Sequence, residues 1–286
     1  MGQRKYSLSP SVRYRIRTRE GATWMLTTLI LCGGQGTRIR GVADDMPKPM
    51  VDIGGRPLVW HVMKGYAQHG VTDFVLLLGY RGEAIKDYFL NYRARGADIA
   101  VTLDGPGRVE MLQAPHDEDD WRVVLANTGV DAMTGARIVR GTRYVKGDTF
   151  FATYGDGVAD VDLTALLDFH KAHGKLATVT GVRPPGRFGE LAIQGDRVAS
   201  FNEKPQLTEG LINGGFFVFE REFVRRYLRD EEDLVLEREP LMQAARDGEL
   251  WVYRHEGFWQ PLDTFREWTL LNGLWKSGQA AWKTWK

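Results

Sequence analysis

One stretch of the chain, LILCGGQGTRIRGVADDMPKPMVDIGG at residues 29–55, combines a glycine-rich turn with cationic side chains. Backbone N–H groups at glycines can approach phosphate oxygens closely. The glycines of the turn are Gly33, Gly34 and Gly36. Thr37 adds a hydroxyl donor, and Arg38 and Lys48 add positive charge beside it. This set suits a triphosphate, although Arg38 and Lys48 are also compatible with ordinary surface charges.

The spacing within this turn excludes two common nucleotide-binding motifs. Its pattern, G-G-x-G-T-R, differs from the G-x-G-x-x-G of a dinucleotide site and lacks the G-K-[ST] ending of a Walker A loop. The sequence therefore indicates a phosphate-binding loop of another kind.

Two carboxylates are candidates for a metal site. Asp156 lies in YGDG, directly after the apolar run that begins at Thr149, so we expect it at the end of a buried strand. A carboxylate beside a phosphate loop suits Mg²⁺, which takes one or two carboxylates together with phosphate oxygens and water. An Asp-Gly pair is also compatible with a plain turn. Asp263 in GFWQPLDT is a second candidate ligand, or the N-cap of a helix that begins near Thr264.

Three further polar residues could contact substrates. Lys204 in FNEKP could hold the phosphate of a second substrate as a point charge. Asn213 in NGGFFVF could recognise sugar hydroxyls, or be a turn residue. Arg137 in NTGVDAMTGAR is expected beside the nucleotide. The histidines have no recognisable metal-binding spacing and are interpreted as surface or packing residues.

The elements that must position these residues alternate between strands and helices after Met25. Hydrophobic patterning predicts strands at residues 26–31, 73–78, 99–103, 122–127, 149–153 and 177–183, and helices at 57–70, 83–92 and 163–173. Such alternation indicates an α/β domain with a mostly parallel sheet. Because ligands of such sheets lie outside the carboxyl ends of the strands, we expect the glycine loop and YGDG to be neighbours. From about Glu220 onwards the chain is predicted to be helical, with tryptophans that serve packing or a subunit interface.

Composition limits the remaining possibilities. The chain has 286 residues, is 43% hydrophobic and carries a net charge of +1, which disfavours a general attraction to nucleic acid or to anionic membranes. No apolar run approaches the roughly 18 residues of a membrane span. The single cysteine, Cys32, fits a reducing cytoplasm.

Residues 1–24 are predicted to be a flexible basic extension, either solvated or an arm for an anionic partner. Residues 25–286 are predicted to be one domain, with a nucleotide-binding part at about 25–160 and a sugar-binding and C-terminal part at about 161–286.

The motifs taken in order resemble those of the glucose-1-phosphate cytidylyltransferases, within the sugar-phosphate nucleotidyltransferase superfamily. GGQGTR, PKPM and FNEKP resemble superfamily motifs, and MTGAR, PPGRFG and FWQPLDT resemble the cytidylyl branch. The resemblance extends from Met25 to the AWKTW ending. It implies the nucleotide-diphospho-sugar transferase fold, a Rossmann-like, mostly parallel mixed sheet flanked by helices, with a smaller helical C-terminal part.

The resemblance also implies a role for each matching position. The CTP phosphates and base would be approached by Leu31, Cys32, Gly33, Gly34, Gln35, Gly36, Thr37 and Arg38. Lys48 would touch the phosphates, and the remaining nucleotide contacts would come from Thr128, Gly129, Ala132 and Arg137. Lys204 would bind the phosphate of the sugar and Asn213 would face the sugar. Further substrate contacts would come from Gly155, Glu203 and Gly214. Asp156 and Asp263 would hold Mg²⁺, and catalysis would depend on Arg38, Lys48 and Lys204. Cys32 stands where alanine is usual, and Ala132 stands where serine is expected.

The implied reaction converts CTP and α-D-glucose 1-phosphate into CDP-glucose and pyrophosphate, by Mg²⁺-assisted in-line attack on the α-phosphorus. The enzyme is expected to be a cytoplasmic homo-oligomer without a nucleic-acid or membrane partner. The alternatives are a thymidylyl- or uridylyltransferase acting on a hexose 1-phosphate, a non-catalytic nucleotide-sugar sensor, and a nucleic-acid binder that uses the basic extension.

Overall fold

The computed structural model of the chain describes residues 16–17, 23–24, 26–34, 46–103, 108–112, 118, 120–184, 190–194, 197–202 and 210–285. Among these residues, none of the helices has the length and apolar character that crossing a membrane requires.

Strands and helices alternate along the first two thirds of the chain. The strands are β1 (Ile16–Arg17), β2 (Thr23–Trp24), β3 (Thr27–Cys32), β4 (Asp52–Ile53), β5 (Arg56–Pro57), β6 (Asp73–Leu78), β7 (Ile99–Thr102), β8 (Arg108–Met111), β9 (Arg122–Asn127), β10 (Thr149–Tyr154), β11 (Gly157–Ala159), β12 (Ala177–Val182), β13 (Glu190–Gln194), β14 (Arg197–Asn202), β15 (Ile212–Glu220), β16 (Leu250–His255) and β17 (Trp259–Pro261). The helices are α1 (Leu58–Ala67), α2 (Gly82–Leu90), α3 (Tyr92–Gly96), α4 (Thr134–Gly141), α5 (Leu163–His173), α6 (Arg221–Tyr227), α7 (Glu239–Arg246) and α8 (Phe265–Lys276). Short 3-10 helices lie at Lys48–Met50 and Thr142–Tyr144.

A seven-stranded mixed sheet forms the centre of the fold, in the order β16-β12-β15-β10-β3-β6-β9. Strand β15 is antiparallel to β10 and β12, and the other pairs are parallel. The carboxyl ends of β3, β6, β9, β10, β12 and β16 therefore meet at one edge. The prediction of a mostly parallel sheet flanked by helices is confirmed.

The prediction for the C-terminal part is wrong for two segments. Helices α6, α7 and α8 are present there, but Leu250–His255 is strand β16, which extends the main sheet beside β12. Trp259–Pro261 is strand β17, which pairs with β11. Among the described strands β16 lies at the end of the sheet, and His255 is its only buried residue, so its burial differs from that of a central strand. Several tryptophans of the C-terminal part serve packing, as predicted.

Apolar side chains alternate between the two faces of the sheet. In β6, Phe74 and Leu76 belong to the cluster under α1 and α5, whereas Val75 and Leu77 belong to the cluster under α4, α6 and α7. Because both faces are covered, the central strands read as continuous apolar runs.

A third cluster attaches the C-terminal tail to the body of the domain. Trp282, Leu271 and Leu262 pack with Val51, which precedes β4, and with Ile53 of β4. Buried His61 lies among the tryptophans: its Nε2 is 2.8 Å from the Ile53 carbonyl oxygen, and Trp282 Nε1 donates to its Nδ1 at 3.4 Å. Since Nδ1 accepts from an N–H group, the neutral form with the proton on Nε2 fits this site.

We expect His61 to make the protein less stable as the pH falls. Burial lowers the pKa of His61 to about 4, from an ordinary value of 6.5. Between these values the unfolded chain binds a proton that the folded chain does not, so stability is lost as the pH falls from 6.5 towards 4. The slope approaches about 1.4 kcal/mol per pH unit. Measured by urea unfolding across this range, the free energy of unfolding of His61→Gln should fall less per pH unit than that of the unchanged protein. The same dependence on pH in both proteins would contradict the assignment.

Candidate active site

The carboxyl ends of the parallel strands place the glycine loop beside YGDG. Leu31 of β3 pairs with Tyr154 of β10, and the Gly155 N–H donates to the Leu31 carbonyl at 3.1 Å. On the other side, Cys32 pairs with Leu78 of β6. The two loops that were expected to be neighbours are neighbours.

A single buried side chain, Arg137 of α4, joins the loops at this edge. Its guanidinium donates to five acceptors at 2.7–3.1 Å: the carbonyl oxygens of Gly33, Leu78, Gly129 and Val130, and the Thr128 hydroxyl. Only 4% of Arg137 is exposed. The structure thus brings Arg137 to the expected loops, and it directs the guanidinium at protein oxygens.

This arginine gives Gly33 a structural reason to be glycine. A Cβ atom at Gly33 would lie 2.2 Å from Arg137 Nη1, so any larger residue would displace the guanidinium. Glycine is required at this position because the Arg137 side chain packs directly against the backbone of Gly33.

Lys48, Asp156 and Asp263 converge although they are far apart in sequence. Strand β11 follows Asp156 and pairs with β17, which precedes Asp263, so both carboxylates lie at the same end of this ribbon. Lys48 begins a 3-10 helix and directs its ammonium at them, 2.5 Å from Asp263 Oδ1 and 3.9 Å from Asp156 Oδ2. Two carboxylates that share one lysine cation are placed to share a metal cation as well.

The chemistry of these oxygens suits a hard cation. Partial burial raises the pKa of Asp156, Lys48 opposes that rise, and the neighbouring Asp263 carboxylate adds to it. A nearby cation therefore stabilises the charged form. Within the part of the chain that the structure describes, no cluster of three or more His, Cys, Asp or Glu side chains could hold a metal ion. Two carboxylates would leave the remaining positions of a divalent cation to phosphate oxygens and water, as Mg²⁺ prefers.

The alternative interpretation of Asp263 as a helix cap is wrong. Thr264 is the N-cap of α8, in a capping box with Glu267. The Asp263 N–H donates to Glu267 at 2.6 Å, which leaves the Asp263 carboxylate for Lys48.

The predicted sugar-binding residue Asn213 lies on the same edge, in strand β15 and not in a turn. Its side chain donates to the Tyr154 hydroxyl, which donates to Glu237. The neighbouring Gly214 is buried, and its carbonyl accepts from Trp259 Nε1 at 2.8 Å. Sequence reasoning missed Tyr154 and Glu237. Tyr154 opens the YGDG motif, but the link to a glutamate 83 residues away has no sequence pattern that would reveal it.

Comparison with known proteins identifies the family of the chain. The sequence profile of the family described as Nucleotidyl transferase matches residues 27–261. The chain belongs to the nucleotidyl transferase family. It is 48% identical to the glucose-1-phosphate cytidylyltransferase of Salmonella typhi over 263 residues, which cover 91% of this chain and the whole of that protein. The probable glucose-1-phosphate cytidylyltransferase of Bacillus subtilis is 44% identical with the same coverage. The resemblance that the motifs indicated is confirmed.

The fold expectation is confirmed in the same way. A UDP-glucose pyrophosphorylase solved with UDP-glucose superimposes with a TM-score of 0.62 over 89% of this nucleotidyl transferase and the whole of that chain, at 13% identity. At that identity the likeness concerns the fold alone.

The two departures from the expected motifs have structural consequences in this nucleotidyl transferase. Cys32 is buried in the core under α1, and burial raises the pKa of its thiol far above the usual range. Any substrate contact at Cys32 would therefore involve its backbone. Ala132 is also buried, beside Gly129.

Some predicted residues lie outside the described part of the chain. These are Gln35, Gly36, Thr37, Arg38, Glu203 and Lys204. Their roles stay predictions.

We expect Arg137→Lys to destabilise the protein. A lysine has one nitrogen and cannot reach acceptors on three strand-end segments, so most of the five acceptors would lose the donor that ties these segments together. The free energy of unfolding should fall by about 3 kcal/mol in urea titrations. Arg143→Lys, which changes an exposed side chain on the next turn, is the matched control and should stay within about 0.5 kcal/mol of the unchanged protein. An Arg137→Lys protein of full stability but weakened nucleotide affinity would instead assign Arg137 to the nucleotide.

Proposed function

We propose that this nucleotidyl transferase is a glucose-1-phosphate cytidylyltransferase, which makes CDP-glucose and pyrophosphate from CTP and α-D-glucose 1-phosphate. The observation that carries the proposal is the convergence of Lys48, Asp156 and Asp263 at the sheet edge, in a chain that matches the Salmonella typhi enzyme over its whole length. The geometry supports the type of reaction, and the similarity supports the choice of base and sugar.

The proposed reaction needs no general base. A phosphate oxygen of the sugar phosphate is already anionic near neutral pH, and it attacks the α-phosphorus of CTP. The new O–P bond forms as the bond to the β-phosphate oxygen breaks, and pyrophosphate leaves in line. The protein's task is to position two polyanions and to neutralise their charge.

The described residues can divide this task between them. The backbone N–H groups near Gly34 lie at the end of β3, where the triphosphate would bind. Lys48 would leave Asp263 and contact the phosphates. The predicted roles of Arg38 on the triphosphate and of Lys204 on the sugar phosphate complete this proposal.

A divalent cation fits the two carboxylates. Asp156 and Asp263 would hold Mg²⁺, which when bound neutralises charge on the phosphate oxygens. Lys48 already faces both carboxylates, and its positive charge would reduce the repulsion between them until that cation binds.

The proposal includes a cytoplasmic location, where CTP is made, and self-association. Support for self-association comes from exposed apolar side chains on the β7–β8 hairpin, of which Val101 is 51% and Val109 61% exposed. Light scattering of the purified protein measures the oligomeric state directly.

The activity is tested with a nucleotide panel. With glucose 1-phosphate and Mg²⁺, we expect CTP to give a kcat/KM at least about tenfold above that of UTP or dTTP, measured as pyrophosphate release, because a tenfold ratio needs only about 1.4 kcal/mol of discrimination. A preference for dTTP or UTP would establish the alternative thymidylyl- or uridylyltransferase. No turnover with any nucleotide would favour a non-catalytic sensor.

Lys48→Ala tests the charge at the centre of the site. Loss of one such contact should lower kcat by about 10²–10³ while the fold stays intact, as seen by circular dichroism. Lys146→Ala is the matched control, since Lys146 is an exposed lysine paired with Asp73 at the opposite end of the sheet. Turnover of Lys48→Ala close to that of the control would refute the assigned role.

Removal of the metal tests Asp156 and Asp263. EDTA should abolish activity and Mg²⁺ should restore it. Asp263→Asn should weaken Mn²⁺ binding to the CTP-bound protein by about tenfold or more, measured by isothermal titration. Unchanged Mn²⁺ affinity in Asp263→Asn would remove Asp263 from the site.

A further inference from the structure

A chain of hydrogen bonds runs along the sheet edge from the sugar side to the nucleotide side. Asn213 Nδ2 donates to the Tyr154 hydroxyl at 3.0 Å, and that hydroxyl donates to Glu237 Oε1 at 2.5 Å. The Thr134 hydroxyl, at the start of α4, donates to the other oxygen, Glu237 Oε2, at 2.7 Å. Glu237 therefore joins β10, β15 and α4, which come from different parts of the chain.

The groups at the two ends of this chain fix the donor and the acceptor of every hydrogen bond in it. A carboxylate can only accept, so Tyr154 must donate to Glu237 and has its lone pairs left for Asn213. At the other end, the Gly215 N–H can only donate, and it meets Asn213 Oδ1 at 2.8 Å. The amide of Asn213 is thus held with its oxygen turned inward and its NH₂ group towards Tyr154.

The surroundings of Tyr154 keep it in place as a donor. Burial and the adjacent Glu237 carboxylate raise the pKa of Tyr154 far above its usual range, so the phenol keeps its proton. A Cβ atom at Gly215, where φ is +81°, would lie 2.3 Å from the Tyr154 ring. The ring therefore packs directly on the backbone of β15.

Glu237 is itself held by the segment that precedes α7. The Leu236 N–H donates to the Thr134 hydroxyl at 2.9 Å, and the Gly135 N–H donates to the Leu234 carbonyl at 2.9 Å. Arg140 also pairs with Asp230 of this segment at 2.6 Å. The segment thus fixes the carboxylate relative to the start of α4.

We propose that Glu237 is a positioning residue for the sugar phosphate, acting through Tyr154. It orders the hydrogen bonds so that exposed Asn213 keeps its free N–H directed towards a sugar hydroxyl. This inference rests on the proposed function, because it takes Asn213 as a sugar contact. Without an acceptor-only group at 237, Tyr154 can turn its hydroxyl proton towards Asn213 Nδ2. The amide oxygen stays on the Gly215 N–H, but the NH₂ group then loses the acceptor that holds it in place.

Glu237→Gln removes this order with little change in shape, because a glutamine side chain can donate as well as accept. We expect the KM for glucose 1-phosphate to rise about tenfold, the KM for CTP to stay within about twofold, and Tyr154→Phe to behave in the same way. Glu239→Gln is the matched control, because Glu239 is exposed and pairs with Arg229. An unchanged sugar-phosphate KM, or an equal rise in both KM values, would overturn the proposal.

A double-variant measurement separates positioning from a general structural effect. In an Asn213→Ala background, Glu237→Gln should add no further rise in the KM for glucose 1-phosphate, since the group on which it acts is gone. An additional tenfold rise in that background would show that Glu237 acts by another route and would overturn the proposal. If Glu237→Gln fails to fold, Tyr154→Phe in the same two backgrounds decides the question.

A substrate-free readout distinguishes failure of this inference from failure of the proposed function. In protein labelled with ¹⁵N-asparagine, the side-chain amide peaks are few, and the pair missing from Asn213→Ala belongs to Asn213. Glu237→Gln should shift or split this pair, whereas Glu239→Gln should leave it unchanged. An unmoved pair in Glu237→Gln overturns the proposal. If the pair moves but no nucleotide is transferred to glucose 1-phosphate, the control of Asn213 by Glu237 stands, and the proposed function fails together with the role towards the sugar phosphate.

Discussion

Arg137 donates to carbonyl oxygens that follow three neighbouring strands, and the loops of the candidate site depend on these bonds. The carbonyl oxygens of Gly33 and Leu78 each accept from one backbone N–H, of Tyr80 and Thr128 respectively, and the guanidinium adds a second donor to both. One guanidinium can serve several acceptors because its donors spread in a plane. Gly33, directly after β3, and the loop after β9 are thereby joined to each other and to α4.

The ribbon of β11 and β17 imposes a second constraint. It draws the C-terminal part of the chain back to the sheet edge, and so Asp263 arrives beside Asp156. The tail stabilises this arrangement from behind: Trp268 Nε1 donates to the Asp52 carbonyl at 3.0 Å, and Trp282 packs on the residues around β4. Since Lys48 lies just before this segment, the packing of the tail also limits where its ammonium can point.

The sequence predicts the elements well where the pattern reflects local burial. Asp73–Leu78 and Leu163–His173 have the predicted bounds, because a run apolar on both faces and a helix ended by Gly174 are local properties. Strand β16 was predicted as helix, since a half-exposed edge strand lacks such a run. The convergence of Lys48 with the carboxylates follows from the rule that ligands lie at strand ends. Neither the acceptors of Arg137 nor the Glu237 bonds could be predicted, because their partners lie up to 104 residues away and are backbone oxygens or isolated side chains.

The charged side chains Lys48, Asp156 and Asp263 are paired with one another in the absence of substrate. Lys48 lies between two carboxylates, so neither sign of charge is left isolated at a partly buried edge. In the proposed reaction, a triphosphate with its divalent cation would supply both a cation for the carboxylates and anions for the lysine. Binding would then exchange one set of ion pairs for another. A reaction that requires positioning and neutralisation, and no proton transfer by the protein, is the kind of chemistry that such an internally paired site can perform.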